Sequence, residues 1–177
     1  MKKLLLIIPL FWIGCSSDNT IAHQFMQHLN EGKIDDAKKF TGNHFEVKYN
    51  FGMRPPQGDF FEMMKEKQFM HPKFGPYDAE TSGDKIIIYT RNSSDFTRYL
   101  DLPPADLKYN FFIENDKIQR IEIDSLPGFA KDDKIMMDKW RAFSDWLQKE
   151  KNVTDYDLQS SPEKRLEYAK EYYETKH

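Results

Sequence analysis

The chain of 177 residues has a single cysteine, Cys15, so no disulfide can form within it. An exported domain without disulfides relies on packing alone. It has no excess of basic residues: 26 Lys and Arg stand against 29 Asp and Glu. That balance speaks against nucleic acid as a partner and gives anionic lipid headgroups nothing to attract. Internal repeats and low-complexity blocks are absent. No G-x-S-x-G occurs, so the sequence offers no nucleophile elbow for serine catalysis. The longest opening run without charge, Leu4 to Ile13, has ten residues. As a helix it would span about 15 Å, against a bilayer core of about 30 Å, too short for a stable membrane span.

What is there begins with that run. Lys2 and Lys3 precede it, and Gly14, Cys15, Ser16, Ser17 and Asp18 follow. Basic, then apolar, then small is the order of a secretory leader. Ile13, Gly14 and Cys15 resemble the lipobox of bacterial lipoproteins, with Trp12 where that family usually has leucine. The resemblance implies cleavage between Gly14 and Cys15 and acylation of the Cys15 thiol, so the bilayer becomes a partner through lipid. One acyl chain holds only reversibly, whereas two or three make attachment effectively permanent. It further implies a place in the bacterial cell envelope. Ser16 stands where aspartate would favour inner-membrane retention, which points to the outer membrane where the organism has one. A plain cleaved signal with a chance cysteine, or a buried N-terminal strand, are the alternatives.

The remaining chain suits one domain, and its aromatic content of 15% should dominate the packing. Asp18, Asn19 and Thr20 are good N-cap residues, and Ile21, Phe25 and Leu29 recur at helical spacing, which predicts a first helix ended by Asn30-Glu31-Gly32. Ile34, Ala37 and Phe40 predict a short second helix. The alternation of "HFEVKY" (44–49) predicts a strand. Pro55-Pro56 and Gly58 mark a loop, and "DFFEMMKEKQFM" reads as a helix burying Phe60, Met63, Met64 and Phe69.

The centre is rich in strand signals. A hairpin is expected around Ser82-Gly83-Asp84, supported by Ile86-Ile87-Ile88, and another around Asn115-Asp116. Leu107, Tyr109, Phe111 and Ile113 share one face of the latter's first arm, and Ile121 and Ile123 one face of its second. Between the hairpins the segment with Pro103-Pro104 reads as loop. Met136, Trp140, Phe143 and Leu147 follow i, i+4, i+7, i+11 in a helix from about Lys131 to Lys149. Ser160, Ser161, Pro162 and Glu163 open a last helix, with Leu166, Ala169, Tyr172 and Tyr173 inward.

This order, with "FMQHLNEGKIDDAKKF" early and "FFIENDKIQRIEI" late, resembles the nuclear transport factor 2-like superfamily, which also holds polyketide-cyclase-like and ketosteroid-isomerase-like proteins. The resemblance implies an α+β fold, N-terminal helices packed in a curved antiparallel sheet, here with a C-terminal helical extension. A cystatin-like sheet on one helix is a near neighbour. The division expected is a leader (1–14), a lipidated tether (15–18), the cone (19–128) and the extension (129–177), packed on the same domain. None of the superfamily's catalytic acids or bases is carried over to a position of this sequence.

Candidate chemistry is sparse. His44 and Glu46 share one side of a strand, but zinc needs at least three protein ligands. His23 and His28 diverge by about 140° around a helix. The eight methionines are scattered, with Met63-Met64 and Met136-Met137 on amphipathic faces. Asp35-Asp36 and Asp132-Asp133 lack the spacing of a calcium loop and fit helix first turns. "NSS" and "NVT" match glycosylation sequons that a bacterial lipoprotein has no reason to use. Tyr89 and Arg91 share a strand face with Ile87, and if that face lines the cone they could hold an acidic or carbonyl ligand. No metal and no cofactor is called for. The function expected is an anchored envelope lipoprotein whose domain binds a small ligand or an envelope protein. The alternatives are a small isomerase, dehydratase or cyclase with an acid-base residue in the cone, and an inhibitor or immunity-type lipoprotein.

Overall fold

A computed structural model describes residues 17–50, 59–75, 78–126, 129–158 and 161–177. The leader with Gly14 and Cys15, the Pro55-Pro56-Gly58 loop, Pro127-Gly128 and Ser160 lie outside the described residues, as do the side chains of Asp132 and Asp133. The elements are α1 (Ser17–Asn30), α2 (Ile34–Lys38), β1 (Thr41–Tyr49), α3 (Phe60–Lys67), β2 (Lys73–Phe74), β3 (Asp78–Ser82), β4 (Lys85–Ser93), α4 (Asp95–Tyr99), β5 (Ala105–Glu114), β6 (Lys117–Ser125), α5 (Phe129–Trp146) and α6 (Pro162–Glu174). A 3₁₀ turn (Gln68–Met70) extends α3, and a π-helical turn (Leu147–Lys151) extends α5. Helix α1 begins at Ser17. Among the described residues no helix is long and apolar enough to cross a membrane.

Local chemistry sets the turns. Gly32, at φ 71°, follows α1, and Lys33 N–H returns to the His28 carbonyl at 2.9 Å. This is a left-handed helix stop of the kind glycine makes without steric cost. Asn115 and Asp116 both have positive φ, 52° and 58°, as a two-residue type I′ hairpin loop demands. Gly83 takes φ 65° in the first position of the other two-residue loop.

The strands run β1-β6-β5-β4-β2 across the sheet, with β3 also pairing to β4. Strands β3 to β6 pair antiparallel. At one edge of the curved sheet β1 runs parallel to β6. Parallel neighbours need a long crossover, and residues 50–116 supply it. A bulge at Gln119 lets Ile118 and Ile121 both face inward although three residues apart.

Helices α1 to α3 fill the curled sheet. Phe25 is fully buried, with ring centroids of Phe45, Phe60, Phe61 and Phe111 between 5.9 and 6.4 Å away. Each such aromatic pair contributes about 0.5–1.5 kcal/mol beyond area burial. On α3 it is Phe61 and Met64 that are buried, while Phe60 and Met63 pack at the margin and Phe69 is half-buried.

A second, smaller core lies outside the sheet. Phe96 of α4 and Leu100 at its C-cap meet Phe143, Leu147, Leu158, Ala169 and Tyr172. Ser94 caps α4 reciprocally with Thr97. The extension therefore docks on α4, a helix in the stretch that reads as loop by sequence. Because α4 joins the end of β4 to the start of β5, it sits opposite the two hairpin turns, separated by roughly 30 Å of strand.

Candidate site on the inner face of the sheet

Parity along β4 decides which side chains enter the cone. Ile86 and Ile88 belong to the inner core, so Thr90 and Asn92 follow them inward and Tyr89 and Arg91 point out. Three consecutive isoleucines hide this choice in the sequence, and a step of one residue exchanges the faces.

Inside, the apolar packing gives way to a polar end near α4. Asn92 Nδ2 donates to the Tyr109 hydroxyl at 2.8 Å. Thr90 is 4% exposed, and its Oγ1 and the Asn92 Oδ1 are buried without a hydrogen-bond partner. Leaving a buried polar atom without a partner costs about 1–3 kcal/mol, so this pair on one strand face is a local penalty in the core. Tyr49 of β1 lies on the same inner face, and burial pushes its phenol pKa up. The inward positions of β1 (Phe45, Val47, Tyr49), β4 (Ile86, Ile88, Thr90, Asn92), β5 (Leu107, Tyr109, Phe111, Ile113) and β6 (Ile118, Ile121, Ile123) include no carboxylate and no imidazole. Most of these side chains pack against α1 to α3 in one core, whose polar end presents a hydroxyl and an amide carbonyl.

Sequence comparison is silent: no family matches the chain, and no curated relative does. Solved structures match it by shape. A Cytophaga hutchinsonii protein of unknown function, described as nuclear transport factor 2-like, superposes with a TM-score of 0.50 at 14% identity, over 66% of this chain and 95% of its own. Bal32a, from a soil-derived mobile gene cassette, gives 0.51 at 11%, over 66% and 95%. A Kribbella flavida protein provisionally named a ketosteroid isomerase gives 0.52 at 7%, over 62% and 78%. The fold is nuclear transport factor 2-like. At these identities the likeness is one of fold alone.

On the outer face of this nuclear transport factor 2-like sheet, Tyr89 and Arg91 are each engaged. Tyr89 Oη donates to Glu80 Oε1 at 2.9 Å, which raises the phenol pKa. Arg91 makes a bidentate pair with Asp106, Nε to Oδ1 at 2.7 Å and Nη2 to Oδ2 at 2.9 Å. The hydrogen bond from Arg91 holds the Asp106 carboxyl below its usual range. The condition attached to these two residues, that their face lines the cone, is not met, and a ligand reaching them would lie outside it.

The remaining candidates fall on solvated surface. His44 and Glu46 are exposed on β1, with Glu46 paired to Lys48 at 3.1 Å. Asp35 pairs with Lys65 and Asp36 with Lys39. Among the described residues no group of three His, Cys, Asp or Glu could hold a metal. Met26 and Met64 fill the main core, whereas Met136 is half-buried and Met137 exposed on α5. Sequence reasoning missed Thr90 and Asn92. The inside positions of β4 follow from its register on β5, Ile86 opposite Phe111 and Ile88 opposite Tyr109, which no hairpin fixes in the sequence because α4 lies between the two strands.

Proposed function

We propose that the protein is a lipid-anchored envelope protein whose nuclear transport factor 2-like domain binds an uncharged, largely apolar small molecule in the cone. The observation that carries the binding reading is the pair of buried, unpartnered oxygens on Thr90 and Asn92 beside Tyr109, on an inner face without acid or base. Acid-base catalysis needs an ionisable side chain with a shifted pKa in the cavity. The two phenols present are poor bases at neutral pH, so the isomerase, dehydratase or cyclase alternative is the weaker one.

The anchoring reading rests on "LFWIGCSS" alone, with Cys15 acylated and residues 1–14 removed. It fits the arrangement of the domain. Asp18 at the start of α1 lines a cleft with Thr81, Gly83 and Asp84 of the first hairpin. A lipid on Cys15 therefore puts the hairpin end against the membrane and turns the α4–α6 end outward. Two measurements test the proposal. Intact mass of the detergent-extracted protein should show a chain starting at an acylated Cys15, and Cys15→Ser should release it from the membrane; an unmodified Cys15 ends the anchoring reading. Native mass spectrometry should show an adduct that Thr90→Val with Asn92→Leu removes; an adduct indifferent to both changes ends the binding reading.

A further inference from the structure

We infer that a cleft on the outer side of the sheet, where β2 and the end of β4 meet α4, binds a small organic anion. This site is distinct from the cone and does not depend on the anchor. The cleft has a volume of about 270 Å³, and its lining includes Lys73, Ser93, Asp95, Arg98, Leu102 and Pro104. That volume lies just below the roughly 300 Å³ at which drug-sized sites begin, enough for a one-ring or short-chain ligand.

The charges in the cleft do not cancel. Asp95 is its one carboxylate, and both its oxygens are taken: Oδ2 is 2.7 Å from His71 Nδ1, and Oδ1 accepts from Arg98 Nη2 at 3.3 Å. The hydrogen bond with His71, and then that with Arg98, holds Asp95 below the usual carboxylate range against the opposing effect of burial. Arg98 is in turn fixed by Asp95 and by the Tyr99 ring, 4.4 Å from its guanidinium carbon. Lys73 makes no ion pair among the described residues. It stands opposite Ser93 in the β2–β4 ladder, so an ammonium and a hydroxyl face one end of the cleft while Leu102 and Pro104 give it apolar contact. The Ser94 and Thr97 hydroxyls are spent on each other. A cation held above an apolar floor, next to an arginine with donors to spare, selects a carboxylate carrying a short apolar body. A multiply charged inorganic ion has no use for the floor.

Benzoate is the probe, with benzylamine and inorganic phosphate as comparators, titrated into the detergent-solubilised full chain and followed by amide NMR shifts. Benzoate should move the resonances of Lys73, Ser93, Thr97 and Leu102, with benzylamine leaving them in place and phosphate moving them less. Lys73→Met should weaken benzoate about tenfold, the value of one charge-assisted hydrogen bond, and Lys73→Arg should restore it. Thermal melts of both variants establish that each is folded, and Lys170→Met on α6 is the surface-charge control. The inference is overturned by an equal response to benzylamine, by a phosphate response matching that of benzoate, or by Lys73→Met binding benzoate as the unchanged protein does.

Discussion

Asn92 Nδ2 and Tyr109 Oη, 2.8 Å apart, tie β4 to β5 inside the cone and leave the amide oxygen of Asn92 turned into it without a partner. This bond fixes the asparagine amide in one orientation and leaves its oxygen unsatisfied, at a cost to stability. Proteins carry such local penalties where binding needs them.

The first prediction follows from Thr90. Replacing it by valine keeps the shape and removes a hydroxyl that is buried with no partner. The protein should gain about 1–3 kcal/mol, read as a higher midpoint in urea with an unchanged slope. The bound adduct should be lost at the same time. A Thr90→Val protein of lower stability would mean that the hydroxyl is satisfied.

The acid limb of stability should report on Asp124. Burial alone would raise its pKa, but Lys108 at 2.9 Å, Asn50 at 2.8 Å and Asn110 at 2.8 Å outweigh it and bring the pKa below the ordinary value. A carboxylate with a depressed folded pKa gives stability that is fully present above its unfolded value, about 3.9, and is lost as pH falls through the folded one. Stability should therefore decline below about pH 4, and Asp124→Asn should flatten that decline while lowering stability at pH 7. Urea unfolding between pH 2.5 and 7 measures both effects.

Much of this architecture is legible in the residues. The Asn115-Asp116 loop, the inward set Leu107, Tyr109, Phe111 and Ile113, and the stop at Gly32 each follow from a local rule that tertiary packing does not override. What is hidden is hidden for a physical reason. Ile86-Ile87-Ile88 is apolar on both faces, because Ile87 is buried too, and so carries no parity. α4 is a single capped turn whose only sign is Ser94 and Thr97 three apart, in a segment where Pro103-Pro104 reads as loop. The parallel pairing of β1 is set by a partner more than sixty residues away, which no local pattern encodes.

Phe25 tests whether the aromatic cluster is the keystone of the cone. It is fully buried among four other phenylalanines, and their rings cannot all collapse into the space it would vacate. Phe25→Ala should cost about 3–5 kcal/mol, by denaturant unfolding, whereas Phe25→Leu should cost less than half of that. Equal costs for the two would mean that the cluster relaxes freely and is not tightly packed.

The second core allows a test of how independently the C-terminal extension is held. Arg165 of α6 lies 4.5 Å over the Trp140 ring and 5.4 Å from that of Phe96, and reaches Asp155 at 2.8 Å. One side chain thus joins α4, α5, α6 and the loop before α6. Both members of the ion pair are largely shielded from water, so the pair is worth more than a surface one. Arg165→Met keeps much of the apolar stem, and so separates charge from packing. It should cost about 1–3 kcal/mol, the range for a buried group deprived of its charged partner. Hydrogen exchange locates the loss: amides of α6 and of residues 153–158 should exchange faster while those of β5 and β6 keep their protection. Uniform acceleration across the sheet would show instead that the two cores open as one cooperative unit.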